Sequence, residues 1–209
     1  VIRKIALDGT VWTVSTSACF SYPYGVNVGA DGKLYVADTG DSTICKLAPD
    51  GTVTVLAGVN GTTGSTDGTG SAARFLYPQA VVADATGNLL VAGTGNDTIR
   101  KITPDGIVTT LAGSPGLTGS ADGTGSAARF DGPVGLALDL AGNLYVTDQG
   151  NECVREVTAS GLVTTVAGTP GRTGSTDGVG SKARFDAPDA IALDAAGPLY
   201  VSSGSTVRR

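Results

Sequence analysis

Short apolar runs separated by turn-forming residues recur along the chain. The clearest unit contains four of them: GLALD from Gly135, NLYVTD from Asn143, CVREVT from Cys153 and LVTTVAG from Leu162. Runs of this length, rich in Val, Leu and Tyr, are typical of β-strands. Apolar residues often stand side by side without strict alternation, which indicates sheets covered on both faces. The pattern therefore predicts four-stranded sheets packed between neighbouring sheets.

The segments between these runs carry turn chemistry. Asp-x-x-Gly-Asn separates the first and second strands at residues 84–88 and 139–143, and Pro-Asp-Gly separates the third and fourth at residues 49–51 and 104–106. Aspartate can cap such turns, and glycine supplies the positive φ that they need. Four strands joined in this way form an antiparallel meander, which is the blade of a β-propeller.

The unit repeats every 55 residues. Three glycine-rich segments start at Leu56, Leu111 and Val166, and all four phenylalanines occupy one repeat position: Phe20, Phe75, Phe130 and Phe185. A period of this size is typical of a repeat architecture. We place the repeat units at residues 25–79, 80–134 and 135–189, with partial units at 1–24 and 190–209.

The predicted fold is all-β, a propeller of four-stranded antiparallel blades with about four blades in this chain. The chain starts with a third and fourth strand (IRKI, TVWTVS) and ends on a first, second and third strand. Because both ends supply a third strand, simple ring closure leaves one of them redundant. We expect part of a longer propeller or repeat array. The alternative is association of open edges with another copy.

The segments PVGLALDLAGNLYVTDQGNECVREV and PQAVVADATGNLLVAGTGNDTIRKI resemble NHL repeats, which form β-propellers that are commonly six-bladed. The resemblance covers nearly the whole chain and is nearest to bacterial-type, secreted NHL repeat proteins. It implies the fold and leaves the activity open, since propellers host many unrelated functions.

An insertion of about 13 residues distinguishes this chain from shorter propeller repeats. Its pattern, G-x-T-G-S-x-D-G-x-G-S-x-A-R-F, occurs three times. The candidate binding residues in these inter-blade loops are Asp67, Asp122, Asp177, Arg74, Arg129 and Arg184.

Two interpretations of the insertion remain open. In the functional one, the loops crown one rim and present Asp, Ser and carbonyl oxygens to calcium or to a partner. In the structural one, Ser, Ala and Arg form a helical turn, Phe fills the gap between blades, and Arg pairs with the loop Asp seven residues before it. The short first connection lacks the Asp and has Cys19 in place of the Arg, which favours the pairing.

The third strands carry basic residues, among them Arg100, Lys101 and Arg155. We expect these to form a solvated edge facing away from the propeller axis. Ile99 and Ile102 cannot share one face of a regular strand, so a bulge or a strand end is expected there.

No catalytic motif stands out. The chain has no histidine, which excludes a Ser-His-Asp triad and the His-ligated metal expected in NHL-fold amidating lyases. Pairs of aspartates remain as candidate acids, but most lie in turns, where aspartate is expected for structural reasons. We expect no cofactor, with calcium as the one possibility raised by the loops.

The remaining chemistry concerns cysteines and surface modification. Cys19 and Cys45 are the candidate disulfide pair in an oxidising compartment, with free buried thiols as the alternative. Asn60 and Asn96 match glycosylation acceptors, a pattern that is common by chance in a Thr- and Gly-rich chain.

Charge and hydropathy limit the classes of partner that we expect for the chain. The net charge is −5, and the scattered basic residues argue against nucleic acid. No apolar run is long enough for a membrane span or a signal peptide, and the chain lacks methionine. We expect a segment of a secreted precursor whose leader has been removed, in the extracellular space or the periplasm.

The leading functional hypothesis is a non-enzymatic, extracytoplasmic recognition or assembly module that contacts a protein or glycan through its loop rim or central mouth. The second is a structural subunit of an extracellular array or fibre, joined through open blade edges. The third is a lyase or hydrolase that uses carboxylates at the channel mouth.

Overall fold

The chain folds into an all-β propeller with four blades arranged around a central cavity. The computed structural model describes residues 1–15, 20–194 and 196–209. A two-stranded sheet precedes the blades and consists of β1 (Ile2–Ile5) and β2 (Val11–Ser15). We refer to these two strands as the N-terminal hairpin.

The blades follow in chain order and are named A to D. Blade A contains β3 (Pro23–Val28), β4 (Leu34–Asp38), β5 (Thr43–Leu47) and β6 (Val53–Ala57). Blade B contains β7 (Gly68–Thr69), β8 (Pro78–Ala83), β9 (Leu89–Gly93), β10 (Thr98–Ile102) and β11 (Ile107–Gly113). Blade C contains β12 (Gly123–Thr124), β13 (Pro133–Leu138), β14 (Leu144–Asp148), β15 (Cys153–Val157) and β16 (Leu162–Gly168). Blade D contains β17 (Pro188–Leu193), β18 (Leu199–Ser203) and β19 (Thr206–Arg208).

Each complete blade is an antiparallel meander, as the turn chemistry predicts. In blade B the strand order is β7-β11-β10-β9-β8, and blade C repeats it as β12-β16-β15-β14-β13. The order of strands at both ends of the chain is also confirmed. The first strands begin at Pro23, Pro78, Pro133 and Pro188, two residues before the repeat boundaries placed from the sequence.

The apolar core lies between blades. One buried cluster joins blades A and B and includes Tyr35, Ile44, Phe75 and Val91. A second joins blades B and C, and a smaller third cluster joins blades C and D around Phe185. Phe75 and Phe130 have no exposed surface, so the prediction that phenylalanine fills the gap between blades is confirmed.

A β-bulge lies where the sequence predicts an irregularity. Ile99 pairs with Ala112 whereas Arg100 pairs with Thr110, so Leu111 is the extra residue on β11. Ile99 belongs to the core between blades B and C, and Ile102 to the core between blades A and B. The two isoleucines therefore lie on opposite, equally buried faces of β10.

Candidate functional site

The inserted loops are built into the blade that follows each of them. The loop after β6 contributes the two-residue strand β7, in which Gly68 pairs with Val108 and Thr69 with Ile107. The loop after β11 adds β12 to blade C in the same register. A single helical turn follows each short strand, at Gly70–Ala72, Gly125–Ala127 and Gly180–Lys182. Each complete insertion is therefore a fifth strand and a turn.

The loop aspartates bond to the third and fourth strands of the next blade. One carboxylate oxygen of Asp67 lies 2.5 Å from the Arg100 guanidinium and accepts the Thr110 hydroxyl, and the other accepts the Thr110 amide at 3.0 Å. Asp122 contacts Arg155 at 2.8 Å and Thr165 at 3.0 Å. We call this arrangement of loop Asp, third-strand Arg and fourth-strand Thr a latch.

The third-strand arginines are the buried members of the latch, which corrects the expectation of a solvated edge. Arg100 and Arg155 have no exposed surface, because both faces of their strands are covered by neighbouring blades and loops. Each guanidinium lies over a phenylalanine ring, Arg100 5.2 Å from the centre of Phe75. Lys101, on the opposite face, stays half-buried.

The predicted pairing of Asp67 with Arg74 is wrong, as it is for the equivalent pairs Asp122 with Arg129 and Asp177 with Arg184. The Arg74 guanidinium turns back and donates to the carbonyl oxygens of Ser71 and Ala73 at 2.6 and 2.7 Å. It thereby satisfies carbonyls of its own helical turn. Arg129 and Arg184 bind the equivalent carbonyls.

Blade C carries a second carboxylate beside its latch. The Arg155 guanidinium lies 2.7 Å from Asp148, and neither side chain is exposed. Asp148 also accepts the Asp131 amide and the Asn151 side-chain amide. Burial raises the pKa of Asp148 to about 6 against the opposing effect of these bonds and of Arg155.

The third loop has fewer partners. Asp177 contacts Arg208, the equivalent of Arg100 and Arg155, and its side chain is 96% exposed. The side chains of Asp67 and Asp122 are 46% and 50% exposed. No fourth strand covers Asp177 within the part of the chain that the structure describes.

The other candidate residues have mixed outcomes. Asn96 is 7% exposed and lies in a helical turn, which disfavours its modification, and its glycosylation stays a prediction. Asn60 lies exposed in a turn and stays a prediction. Cys45 is fully buried, and the disulfide predicted for it involves Cys19, which lies outside the described residues.

The described residues form neither a cluster of metal ligands nor a helix that could span a membrane. Residues 1–15, 20–194 and 196–209 contain no group of three or more potential His, Cys, Asp or Glu ligands close enough for a metal ion. Over the same residues, no helix has the length and hydropathy needed to cross a bilayer.

A cavity of about 300 Å³ lies where the first strands of all four blades converge. Its polar side chains are those of Tyr24, Asn27, Gln79 and Asp189, and its walls are aliphatic. Burial, followed by the charge of Asp189, raises the pKa of Tyr24, whose hydroxyl faces that carboxylate. Asn27 is held in place because its side-chain oxygen accepts the Ala83 amide at 3.0 Å.

The sequence analysis predicts a contact at the central mouth but none of the residues that line it, although a signal for them exists. Tyr24, Gln79, Val134 and Asp189 are spaced 55 residues apart, at the second position of the four first strands. Most strand positions repeat the same residue class, and this one carries four different side chains. A position that varies between repeats in this way carries side chains that the fold itself does not require.

Comparison with known proteins identifies the repeat. No protein-family model matches the chain. It is 32% identical over 151 residues to NHL repeat-containing protein 2 of Bos taurus, a match that covers 66% of this chain and 21% of that protein. The chain is a distant homologue of NHL repeat-containing proteins. Protein SUPPRESSOR OF QUENCHING 1, chloroplastic, of Arabidopsis thaliana is also 32% identical, over 66% of this chain and 14% of that protein.

Solved structures confirm the β-propeller fold. A structural genomics protein of unknown function from Bacteroides thetaiotaomicron superposes with a TM-score of 0.77 at 23% identity, over 94% of this chain and 49% of that one. An auxiliary nutrient binding protein from Bacteroides ovatus gives 0.72 at 23% identity, over 93% and 48%. A streptogramin B lyase gives 0.63 at 18% identity, over 90% and 50%. The chain thus spans about half the length of these structures and about a fifth or less of its curated relatives.

Proposed function

We propose that this NHL-type propeller is a non-enzymatic binding module outside the cytoplasm, and that its central cavity holds part of a protein or glycan partner. The observation that carries the proposal is the set of four different residues at one repeat position, all of which line the same cavity. Concave sites that combine aliphatic walls with a few convergent polar groups are the usual form of a binding site.

The lining restricts the chemistry of the ligand. Asp189 is the only charged side chain among the residues that line the cavity, and no arginine or lysine accompanies it. Tyr24 offers a half-exposed ring together with a hydroxyl, and Gln79 offers an amide. A neutral or cationic group rich in hydrogen-bond donors fits this lining, whereas an anionic group meets an unfavourable charge.

We propose a non-enzymatic role because the ionisable groups that line the cavity are one carboxylate, Asp189, and one phenol, Tyr24. Several solved neighbours are named lyases or gluconolactonases, which describes those proteins and their own sites.

The location outside the cytoplasm is supported by two neighbours named auxiliary nutrient binding proteins, from Bacteroides thetaiotaomicron and Bacteroides ovatus. Cell fractionation with an antibody against the chain tests it. Recovery of the protein in the cytosol contradicts this part of the proposal.

The test of binding uses a glycan array and an affinity pulldown with the full chain, followed by titration of each captured partner. Asp189→Ala and Tyr24→Ala each remove one of the four polar side chains of the cavity, and we expect each to weaken binding at least tenfold. Asp105→Ala is the matched control, because it removes an exposed turn aspartate. A partner that binds all three variants equally well refutes the cavity as the binding site.

A further inference from the structure

Blade B has a glycine at a position where the other three blades carry a hydrogen-bond acceptor. This position is the last residue of the second strand in each blade, and it recurs every 55 residues. The residues there are Asp38, Gly93, Asp148 and Ser203. All four lie buried. The exception in blade B therefore stands inside the fold, away from both ends of the chain.

The acceptor at this position binds a backbone amide. Asp38, Asp148 and Ser203 each accept an amide from the segment that precedes the first strand of their own blade. The donors are the amides of Ser21, Asp131 and Asp186. The equivalent amide in blade B is that of Leu76. Because Gly93 has no side-chain oxygen, the Leu76 amide lacks the acceptor that the other blades supply.

Arg100 has one carboxylate partner where Arg155 has two. In blade C, Nη1 of Arg155 donates to a backbone carbonyl and, at 2.7 Å, to Asp148. Among the described residues, Nη1 of Arg100 donates to the Arg74 carbonyl alone, which leaves its second N–H group without an acceptor. Burial lowers the pKa of the Arg100 guanidinium against the opposing effect of Asp67. The positive charge of Arg100 is thus compensated less completely than that of Arg155.

Two further polar side chains near Gly93 are buried without a partner. Within the part of the chain that the structure describes, the side-chain oxygen of Asn96 and the hydroxyl of Thr98 form no hydrogen bond, and these residues are 7% and 0% exposed. A Cβ atom at residue 93 would lie 2.9 Å from the Thr98 hydroxyl oxygen, so this hydroxyl is directed at the place of the missing side chain. In blade C, Asn151, the equivalent of Asn96, donates to Asp148 at 2.8 Å.

We propose that blade B binds a small monovalent anion, of the size of chloride or formate, at the position that the Asp148 carboxylate occupies in blade C. The anion supplies the second negative charge beside the buried arginine and accepts hydrogen bonds from four groups. These donors are the Leu76 amide, Nη1 of Arg100, the Thr98 hydroxyl and the Asn96 side-chain amide. A half-turn of the Asn96 amide exchanges its oxygen for its nitrogen and presents the N–H groups to the anion.

The surroundings of Gly93 limit the size, the charge and the affinity of the ligand. The Thr98 hydroxyl and the Cγ atom of Arg100 lie 2.9 and 3.7 Å from a Cβ at residue 93, so a ligand of only a few atoms fits. The charge of Arg100 disfavours a cation. Burial raises the pKa of Asp148 to about 6, which shows that a negative charge at the equivalent position is bound against a desolvation cost. The expected affinity is therefore weak, in the millimolar range.

Anion-dependent stability tests the site in the full chain. Thermal unfolding is measured in sodium formate and in sodium chloride, with sodium gluconate at the same ionic strength as the reference, because gluconate is too large for the site. When formate or chloride is about ten times its dissociation constant, we expect the unfolding midpoint to lie about 3–6 °C above that in gluconate. A rise that saturates with concentration supports the proposal. Equal midpoints in the three salts overturn it, and are expected if a water molecule satisfies the same groups.

Matched variants separate the site from the general effect of each salt on folding. Gly93→Asp supplies the carboxylate of blade C, and Gly93→Ser supplies the neutral acceptor of blade D. We expect the first to abolish the rise in the midpoint and the second to reduce it. Ala85→Asp is the control, because it adds the same charge at an exposed turn of blade B and should keep the full rise. Asp148→Gly creates the equivalent site in blade C and should enlarge the rise. An undiminished rise in Gly93→Asp overturns the proposal.

Bromide locates the ion directly, since it resembles chloride and scatters X-rays anomalously. In crystals of the full chain grown with bromide, we expect an anomalous peak within about 3.5 Å of both the Leu76 amide nitrogen and Nη1 of Arg100. The peak should be missing from crystals of Gly93→Asp. Density at this position without an anomalous signal identifies a water molecule and overturns the proposal.

Discussion

Blade A and blade C share the same four-stranded meander, but different side-chain contacts hold their strands to the preceding loop. In blade C, Arg155 is buried between Asp122 of the preceding loop and Asp148 of the neighbouring strand. In blade A the equivalent third-strand residue is Cys45, and Asp38, the equivalent of Asp148, accepts the amides of Ser21 and Tyr22. Burial raises the pKa of Asp38, as it does that of Asp148.

The contrast between the two blades indicates that the three residues of the latch occur as one unit. Loop Asp, third-strand Arg and fourth-strand Thr are present together in blades B and C and absent together in blade A. A buried arginine is tolerated where its charge is paired and most of its donors are bonded, as they are for Arg100 and Arg155, each of which leaves only its Nε without a partner. When the loop aspartate is missing, a small apolar thiol takes the position.

The greatest loss of stability is expected when the arginine that pairs with two carboxylates, Arg155, is removed. Arg155→Leu leaves Asp148 buried beside an apolar side chain, and we expect a loss of about 3–5 kcal/mol in the free energy of unfolding. Arg100→Leu is the matched variant, because Gly93 replaces Asp148 in blade B, and about 1–3 kcal/mol is expected. Urea unfolding followed by circular dichroism measures both. Equal losses would show that Asp148 contributes nothing to the difference.

The pH dependence of blade C gives the next largest effect. The folded-state pKa of Asp148 is about 6, above its ordinary value of 3.8, so the folded state binds the proton more tightly. The contribution of Asp148 to stability therefore rises as the pH falls from 7.5 through 6, and levels off near 4, by at most about 3 kcal/mol.

Asp148→Gly reproduces the glycine of blade B and checks this sign. The wild-type chain is expected to gain stability relative to the variant between pH 7.5 and pH 4.5. Parallel stability curves for the two chains across that range would contradict the assignment.

A smaller difference in the free energy of unfolding is expected between variants of a complete latch and variants of the third loop. Asp122→Ala removes the bonds to Arg155 and Thr165, and about 1–2 kcal/mol is expected at a half-exposed site. Asp177→Ala is the control and should change stability by less than about 0.5 kcal/mol in the monomer, because its side chain is almost fully exposed. Thermal unfolding at low protein concentration measures both. A large loss in Asp177→Ala alone would reverse the ranking of the loops.

The smallest effect concerns the fourth-strand threonine. Thr165→Val removes a hydroxyl that donates to Asp122, and about 1 kcal/mol is expected. Val55→Thr places the same residue type in blade A, where no loop aspartate can accept its hydrogen bond, and a change within about 0.5 kcal/mol is expected. Stabilisation of blade A by this change would indicate an acceptor that the latch does not include.

Much of the architecture is predictable from the repeat, because strand periodicity and turn chemistry are local properties. The strand order, the bulge near Arg100 and the buried phenylalanines all follow from it. The partners of the arginines do not. The sequence offers both Arg74 and Arg100 as partners for a loop aspartate. Which of the two arginines forms the pair depends on which side chain faces the neighbouring blade.

The central cavity is predictable only from the positions at which the repeats differ. Residues that are identical between repeats are those that every blade needs. Asp67, Asp122 and Asp177 became candidate site residues because of that identity. The residues that line the central cavity differ between repeats, as Tyr24 and Asp189 do. Their proximity depends on how four first strands converge, which is a long-range property of the fold.

The short strands β7 and β12 each follow one blade in the sequence but are hydrogen-bonded to a strand of the next blade. The boundaries of the cooperative units are therefore staggered relative to the boundaries of the repeat. Opening of blade C would release the loop that follows blade B and expose Phe130, so neighbouring blades lose protection together. Amide exchange should then reveal protected groups that span two blades, each wider than one 55-residue period.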